Sequence, residues 1–210
     1  MDVTHLAADP AFGIAVPDAT RKKVVQSLGI AEKPYILCVS NTYPHKNIHA
    51  LVGAFGELAA GIPHHLVVIG RPRLGEGAVQ TAINKLPDRS RVSRVEYVQA
   101  EDLPAIYQAA DLFVCPSLYE GFGLSVLEAM TADVPVVTMR VASIPEIGGD
   151  CVCYADNPDS RDLAAKMKNM LQMDAAQRHQ WCKRAEERSK SFSWQKTADL
   201  TVASLTRAMR

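Results

Sequence analysis

The chain has 210 residues, of which 48% are hydrophobic and 22% are charged, a balance typical of a globular protein and not of a disordered one. Its 23 basic residues equal its 23 acidic ones, which argues against a surface that binds nucleic acid. The first twelve residues lack the basic and apolar regions of a signal peptide. No apolar run approaches the roughly 18 residues of a transmembrane helix. The cysteine pattern fits reduced thiols, so we expect a cytoplasmic protein.

The start of the chain has the composition of a linker. Residues 1–18 show little hydrophobic periodicity and contain Pro10, Gly13 and Pro17. We therefore predict a linker over residues 1–20. A domain that opens with a linker indicates a larger protein.

Strand and helix patterns then alternate. Short apolar runs predict strands at Tyr35–Val39, His65–Ile69, 95–98, Leu112–Cys115, 135–138 and 151–154. Between them, apolar residues at helical spacing predict helices at about 48–59, 77–85, 103–109 and 125–131. This order predicts an α/β fold, a Rossmann-like doubly wound parallel sheet with right-handed crossovers, over residues 21–191.

Helices alone follow the last predicted strand. They are expected at residues 160–173, 175–191 and 194–210. Three consecutive helices indicate either a cap on the domain or a helix that reaches outside it.

The five cysteines show no repeating spacing. Cys151 and Cys153 form a C-x-C pair, but a zinc site needs four ligands and no second pair lies at a suitable distance. Packing on one face of a strand is the favoured interpretation, with reduced thiols.

The loop after the fourth predicted strand carries the main candidate site, since ligands of parallel sheets bind at the carboxyl ends of strands. Gly121 and Gly123 stand where the strand gives way to a helix, which suits a phosphate near the free amides. Glu120 and Glu128 flank the glycines and could accept hydrogen bonds from sugar hydroxyls. Ser125 and Glu128 also fit a capping box, and spacing alone leaves the ligand and structural interpretations even.

Positive charge follows two other strands. Lys46 precedes a predicted helix, where a cation is unfavourable unless an anion lies nearby, although a solvated lysine is the plainer interpretation. Arg71 and Arg73 follow the second strand. His45 could contact a phosphate, although an ordinary surface histidine is the favoured interpretation. These loops together predict a pocket for a diphosphate joined to a group rich in hydroxyls.

At this point the sequence resembles a known family. PSLYEGFGLSVLEAM resembles the E-x7-E signature of retaining GT-B glycosyltransferases of family 4, the group 1 enzymes. YILCVSNTYPHKN, HLVVIG, VEYVQAEDLPAIYQAADLFVCPS, VPVVTMRVASIPEIGGDCVCYADNPD and FSWQKTADL resemble its other motifs, in the same order and over about nine-tenths of the chain.

The resemblance implies the C-terminal, donor-binding half of a GT-B enzyme that transfers a sugar with retention of configuration. Glu120 would bind the sugar and Lys46 the diphosphate, both as catalytic residues, and Glu128 would bind the ribose. The implied donor-binding residues are Asn41, Lys46, Arg71, Val98, Glu120, Gly121, Phe122, Gly123, Leu124, Ser125 and Glu128.

The same resemblance implies the partners. They are a GDP- or UDP-linked sugar and an N-terminal acceptor domain outside this chain, toward which the helix within residues 192–210 would cross. No cofactor or metal is expected, and Asp-x-Asp, the motif of the metal-dependent GT-A class, is absent from the sequence. Attachment to the inner face of the membrane stays open and would involve only the other half.

Four residues at three places depart from the family pattern. Relatives often carry an arginine near Asn41, a glycine at Asp133 and a glycine pair at Ala142 and Ser143. The Ala-Ser-Ile-Pro-Glu variant leans weakly toward mannosyltransferase-like relatives. Two alternatives remain: an epimerase acting on nucleotide sugars, which E-x7-E with PHKN disfavours, and a non-catalytic nucleotide-binding module.

Overall fold

The computed structural model describes residues 2–29 and 34–209. Met1 of the predicted linker, residues 30–33 of the predicted nucleotide-binding domain and Arg210 of the predicted last helix lie outside the described residues.

A parallel sheet forms the centre of the described structure. Its strands are β1 (Tyr35–Val39), β2 (His65–Ile69), β3 (Val92–Val95), β4 (Leu112–Cys115), β5 (Val136–Met139) and β6 (Cys153–Ala155). They lie in the order β3-β2-β1-β4-β5-β6, and every neighbouring pair is parallel. The predicted doubly wound sheet is confirmed.

Helices cover both faces of the sheet. They are α1 (Asp18–Ser27), α2 (Ile48–Leu58), α3 (Glu76–Asn84), α4 (Leu103–Gln108), α5 (Leu124–Thr131), α6 (Ile144–Gly148), α7 (Ser160–Leu171), α8 (Ala175–Ser189) and α9 (Trp194–Ala208). Within the described residues, no helix is both long and apolar enough to span a membrane.

Each face of the sheet has its own core because successive side chains of a strand point to opposite faces. On β1, Leu37 faces the core shared with α1, α4, α5, α6 and α8, whereas Ile36 faces the core shared with α2, α3 and α7. Both side chains are fully buried. Burial on both faces explains why the central strands are continuous apolar runs without alternation.

Three predicted strands are shifted in the structure. The third lies at Val92–Val95 and not at 95–98, because β3 is an edge strand whose half-buried residues include Ser93 and Arg94. Val98 belongs to the loop after β3, and its side chain is buried there. This buried valine made the loop resemble a strand in the sequence. The fifth and sixth strands begin one and two residues later than predicted, so Cys153 lies in β6 but Cys151 does not.

The sequence patterns also missed one helix at the start. α1 begins at Asp18, inside the predicted linker, and Val25 is its buried residue. Its polar composition left no periodic apolar stripe to detect. A short 3-10 helix at Pro10–Gly13 precedes it and buries Phe12.

The final helices are confirmed, although each ends earlier than expected. α7 ends at Leu171, α8 at Ser189 and α9 at Ala208. None of the described residues of α9 is buried. Two of its residues bond to the start of the chain. The hydroxyl of Thr197 donates to the carbonyl of His5, and Arg207 forms an ion pair with Asp2.

Candidate functional site

The strand order reverses between β1 and β4, which leaves a crevice between the loops that follow these two strands. A hydrogen bond of 2.7 Å from the amide of Leu118 to the carbonyl of His45 joins the two loops. Between them lies an open cavity of about 490 Å³. The residues that line it are Val39, Ser40, Asn41, Tyr43, His45, Lys46, Glu120, Phe122, Gly123, Leu124 and Ser125.

The lining of this cavity contains an ion pair. Nζ of Lys46 lies 2.7 Å from Oε1 of Glu120, and only 20% and 13% of the two side chains are exposed. The sequence separates these residues by 74 positions, and the β1–β4 pairing brings their loops together. Lys46 and Glu120, which the sequence predicted to bind the same ligand, therefore contact each other directly.

The backbone around Lys46 is held in a fixed shape. Lys46 ends a short 3-10 helix, Pro44–Lys46, and the next residue, Asn47, adopts a left-handed conformation with φ of 53°. The side chain of Asn47 donates to the carbonyl of Pro158 at 2.9 Å, which secures this unusual backbone conformation. This backbone conformation places Lys46 just before α2, which begins at Ile48.

Cys115, at the end of β4, lies beside the carboxylate of Glu120. Its Sγ lies 3.7 Å from Oε1 of Glu120. Burial raises the pKa of the Cys115 thiol, and the nearby Glu120 charge raises it further, so the thiol keeps its proton. A protonated thiol is a weak donor to the carboxylate, whereas a thiolate would repel it.

The glycine turn has a specific geometric requirement. Gly123 is the N-cap of α5 and has φ of 99°, a left-handed conformation that favours glycine. A Cβ at Gly123 would lie 2.5 Å from Cδ1 of Ile144, whereas at Gly121 it would meet nothing within 4 Å. Gly123 is required by conformation and by close packing, and Gly121 is the open apex of the turn.

The N-terminus of α5 opens on this cavity. No side chain caps it, and both Leu124 and Ser125 line the cavity. The first amides of a helix lack intrahelical partners and carry a partial positive charge. Together with Lys46, they form a site suited to an anion.

Glu128 lies apart from the cavity lining. Its Oε2 accepts a 2.9 Å hydrogen bond from the hydroxyl of the buried Tyr107. Burial raises the pKa of Glu128, and the hydrogen bond from Tyr107 opposes this shift. The capping box considered from sequence does not form, because Gly123 and not Ser125 is the N-cap.

Asn41 is the only one of three outer predicted residues, Asn41, Arg71 and Val98, that lines the described cavity. Its side-chain oxygen accepts a 2.8 Å hydrogen bond from the amide of Arg71. The Arg71 guanidinium lies 5.8 Å from the centre of the Tyr97 ring, outside the cavity lining. Val98 packs in the core with 9% of its surface exposed.

The structure therefore gathers most of the predicted donor-binding residues. Those that line the cavity are Asn41, Lys46, Glu120, Phe122, Gly123, Leu124 and Ser125, and those outside its lining are Arg71, Val98, Gly121 and Glu128.

Sequence reasoning missed Tyr43 as a site residue. Its ring stacks on that of His45, with 5.8 Å between centroids, at the edge of the cavity. Its place two residues before His45 in the same loop was the available signal. Ser143 was noted only as a departure from a glycine pair, and its contacts with the glycine turn required the tertiary structure.

The chain matches a known protein family over most of its length. Residues 20–188 match the family described as glycosyl transferases group 1. The chain belongs to this family. The resemblance stated from the sequence motifs is confirmed, and so is the Rossmann-like fold class.

Two relatives in sequence and one solved structure are similar to this chain. O-antigen chain mannosyltransferase B of Escherichia coli is 34% identical over 181 residues, which cover 85% of this chain and 47% of the relative. Mannosylfructose-phosphate synthase of Agrobacterium fabrum is 36% identical over 164 residues, covering 72% of this chain and 36% of the relative. A glycosyltransferase structure from Rickettsia africae superimposes with a TM-score of 0.89 over 99% of this chain and 57% of that one, at 14% identity.

The chain spans about half the length, or less, of the curated relatives named here. The family assignment thus concerns this chain, whereas the activity and substrates of a whole enzyme are matters for proposal.

Proposed function

We propose that this chain binds the nucleoside-diphosphate-sugar donor of a glycosyltransferase, which transfers the sugar to an acceptor with retention of configuration. The observation that carries the proposal is the Lys46–Glu120 pair beside the uncapped N-terminus of α5. This arrangement offers positive charge for a diphosphate and an adjacent carboxylate for hydroxyl groups.

The proposed roles follow from charge. As the glycosidic bond of the donor breaks, negative charge develops on the leaving diphosphate. Lys46 and the first amides of α5 are fixed before the reaction, so they stabilise this charge more in the transition state than in the ground state. Glu120 would accept hydrogen bonds from sugar hydroxyls. Glu128 would accept them from the ribose with the acceptor sites that its bond from Tyr107 leaves open.

The relatives support a hexose donor, and a mannosyl donor in particular, because one relative named above is a mannosyltransferase and the other a mannosylfructose-phosphate synthase. A GDP- or UDP-linked sugar is the proposed donor class. The acceptor would bind to a separate N-terminal domain, and α9, none of whose described residues is buried, is the proposed helix that crosses toward it. A cytoplasmic location, at or near the inner face of the membrane, stays a prediction.

Calorimetric titration of this chain with GDP-mannose, UDP-glucose and ADP-glucose tests donor binding. Binding of at least one of them is expected, and it should persist in EDTA because Lys46 and helix amides supply the positive charge. Absence of binding for all three would refute the proposal, and loss of binding in EDTA would refute its metal-independent form.

A lysine variant tests the assigned contact. Lys46→Ala should weaken binding of the nucleotide sugar roughly 10- to 100-fold, since hydrogen bonds to charged groups are worth about 1.5–3 kcal/mol. Lys23→Ala, at an exposed position on α1, is the matched control and should bind like the wild type. Equal affinities of the two variants would remove Lys46 from the site. In the whole enzyme, retention is checked by the anomeric configuration of the product.

A further inference from the structure

The turn that carries Glu120 is held by a side chain from a different loop. Oγ of Ser143 lies 2.9 Å from the carbonyl oxygen of Glu120 and 2.9 Å from that of Phe122. A hydroxyl has one proton, so it donates to one of these carbonyls at a time. The two carbonyls lie on either side of Gly121, the apex of the turn, so Ser143 is bonded to this turn whichever of them accepts the proton.

The same segment supports the turn by packing. Ile144, the next residue, is fully buried and fills the space directly against Gly123. Before Ser143 the chain passes through Ala142, whose φ of 46° is left-handed. This reversal after β5 orients Ser143 toward the Glu120 turn, and such a backbone conformation persists only where its surroundings hold it.

The side chain of Glu120 has a second support, which a donor would disturb. Its carboxylate bonds to Nζ of Lys46 at 2.7 Å. A diphosphate bound at Lys46 competes for that ammonium group, and the ion pair then holds Glu120 less firmly. The bond from Ser143 to the backbone is unaffected, because it involves neither charged group.

We infer that Ser143 is a positioning residue, which holds the Glu120 turn so that the carboxylate meets the sugar part of the donor. This inference rests on the proposed function. It assigns to Ser143 no contact with the ligand, since it acts through the backbone of Glu120. The effect should therefore fall on recognition of the sugar and spare recognition of the nucleotide.

Titration calorimetry of this chain with pairs of ligands separates the two. The pairs are GDP-mannose and GDP, UDP-glucose and UDP, and ADP-glucose and ADP. Ser143→Ala should weaken binding of the nucleotide sugar about three- to tenfold, the effect of one hydrogen bond, while the affinity for the matching nucleoside diphosphate changes less than about twofold. Ser143→Thr keeps a hydroxyl and should restore most of the loss.

Ser27→Ala is the matched control, because it removes a hydroxyl that also donates to a backbone carbonyl, that of Val24, but lies outside the cavity lining. It should bind both ligands like the wild type. An equal loss of both ligands in Ser143→Ala, or no loss of either, would overturn the inference while leaving the proposed function intact. Unfolding of Ser143→Ala beside a normal Ser143→Thr would also overturn it, since the hydroxyl would then be needed for folding. Failure of the wild type to bind any nucleotide sugar would instead refute the proposed function, and the inference with it.

Discussion

The ion pair at the centre of the site gives a quantitative test of the structure without any ligand. Lys46→Met removes the ammonium group but keeps an unbranched side chain, and so leaves the carboxylate of Glu120 mostly buried and unpaired. Two unit charges about 4 Å apart attract by roughly 4 kcal/mol at an effective dielectric constant near 20. The cost of removing both groups from water offsets much of this attraction.

The size of the effect follows from burial. Loss of one partner costs about 3–5 kcal/mol in a fully buried pair and about 0–1 kcal/mol in an exposed one. With a fifth or less of each side chain exposed, the Lys46–Glu120 pair lies nearer the buried limit. We expect Lys46→Met to lower the free energy of unfolding by about 2–3 kcal/mol. For a domain of this size that lowers the melting temperature by roughly 4–12 °C.

A double-mutant cycle with Glu120→Gln isolates the pair. The free energy of unfolding is measured by urea unfolding at pH 7 for both single variants and the double variant. The loss in the double variant should be about 1–2 kcal/mol smaller than the sum of the two single losses, because no charge is then left unpaired. Lys190→Met is the control, since Lys190 pairs with Glu186 and Glu187 on the exposed surface of α8 and should change stability little. Additive losses at Lys46 and Glu120, or a Lys46→Met variant as stable as the control, would refute the buried pair.

Two further stability predictions concern other carboxylates. Burial raises the pKa of Glu128 in the folded state above its ordinary value of 4.5. Between these two pKa values the folded protein binds more protons than the unfolded one, so stability falls as the pH rises through that range. Glu128→Gln keeps an acceptor for Tyr107, and urea unfolding at pH 7 should show it to be more stable than the wild type. The difference in free energy of unfolding should shrink toward pH 4, and a difference that stays constant with pH would contradict the assigned burial. Asp133, with φ of 62°, stands where the family pattern favours glycine, so Asp133→Gly should raise the melting temperature by about 1–4 °C. The comparison variant Asp133→Ala loses the same charge but keeps the left-handed strain, and should melt below Asp133→Gly; equal melting temperatures would argue against strain.

Much of the fold could be predicted because it depends on patterns that are local in the sequence. The apolar strands alternate with helices of clear periodicity, and a parallel sheet then follows from the connections alone. The prediction failed where that pattern was weak. The edge strand β3 contains Ser93 and Arg94, and the largely exposed α1 buries Val25, so neither presents a full apolar stripe.

The candidate site was predictable to the level of loops. Lys46 and Glu120 each follow a strand, and the carboxyl ends of neighbouring parallel strands meet at one edge of the sheet. Their 2.7 Å contact, however, depends on the left-handed Asn47 and on the pairing of β1 with β4. No spacing within the sequence encodes such a distance.

The roles of Glu128 and Ser143 show most clearly what the tertiary structure decided. By sequence, Glu128 fitted a ligand contact and a helix cap equally well, and the structure gives it a part-buried hydrogen bond from Tyr107 on another helix. Ser143 was only a departure from a family pattern until its hydroxyl was found against the Glu120 turn, 23 residues away. Sequence alone determined the type of fold, the edge of the sheet that holds the site and the charges available there, because these follow from periodicity and chain order. Which side chains meet was decided by packing between elements far apart in the chain, since only the folded protein sets those distances.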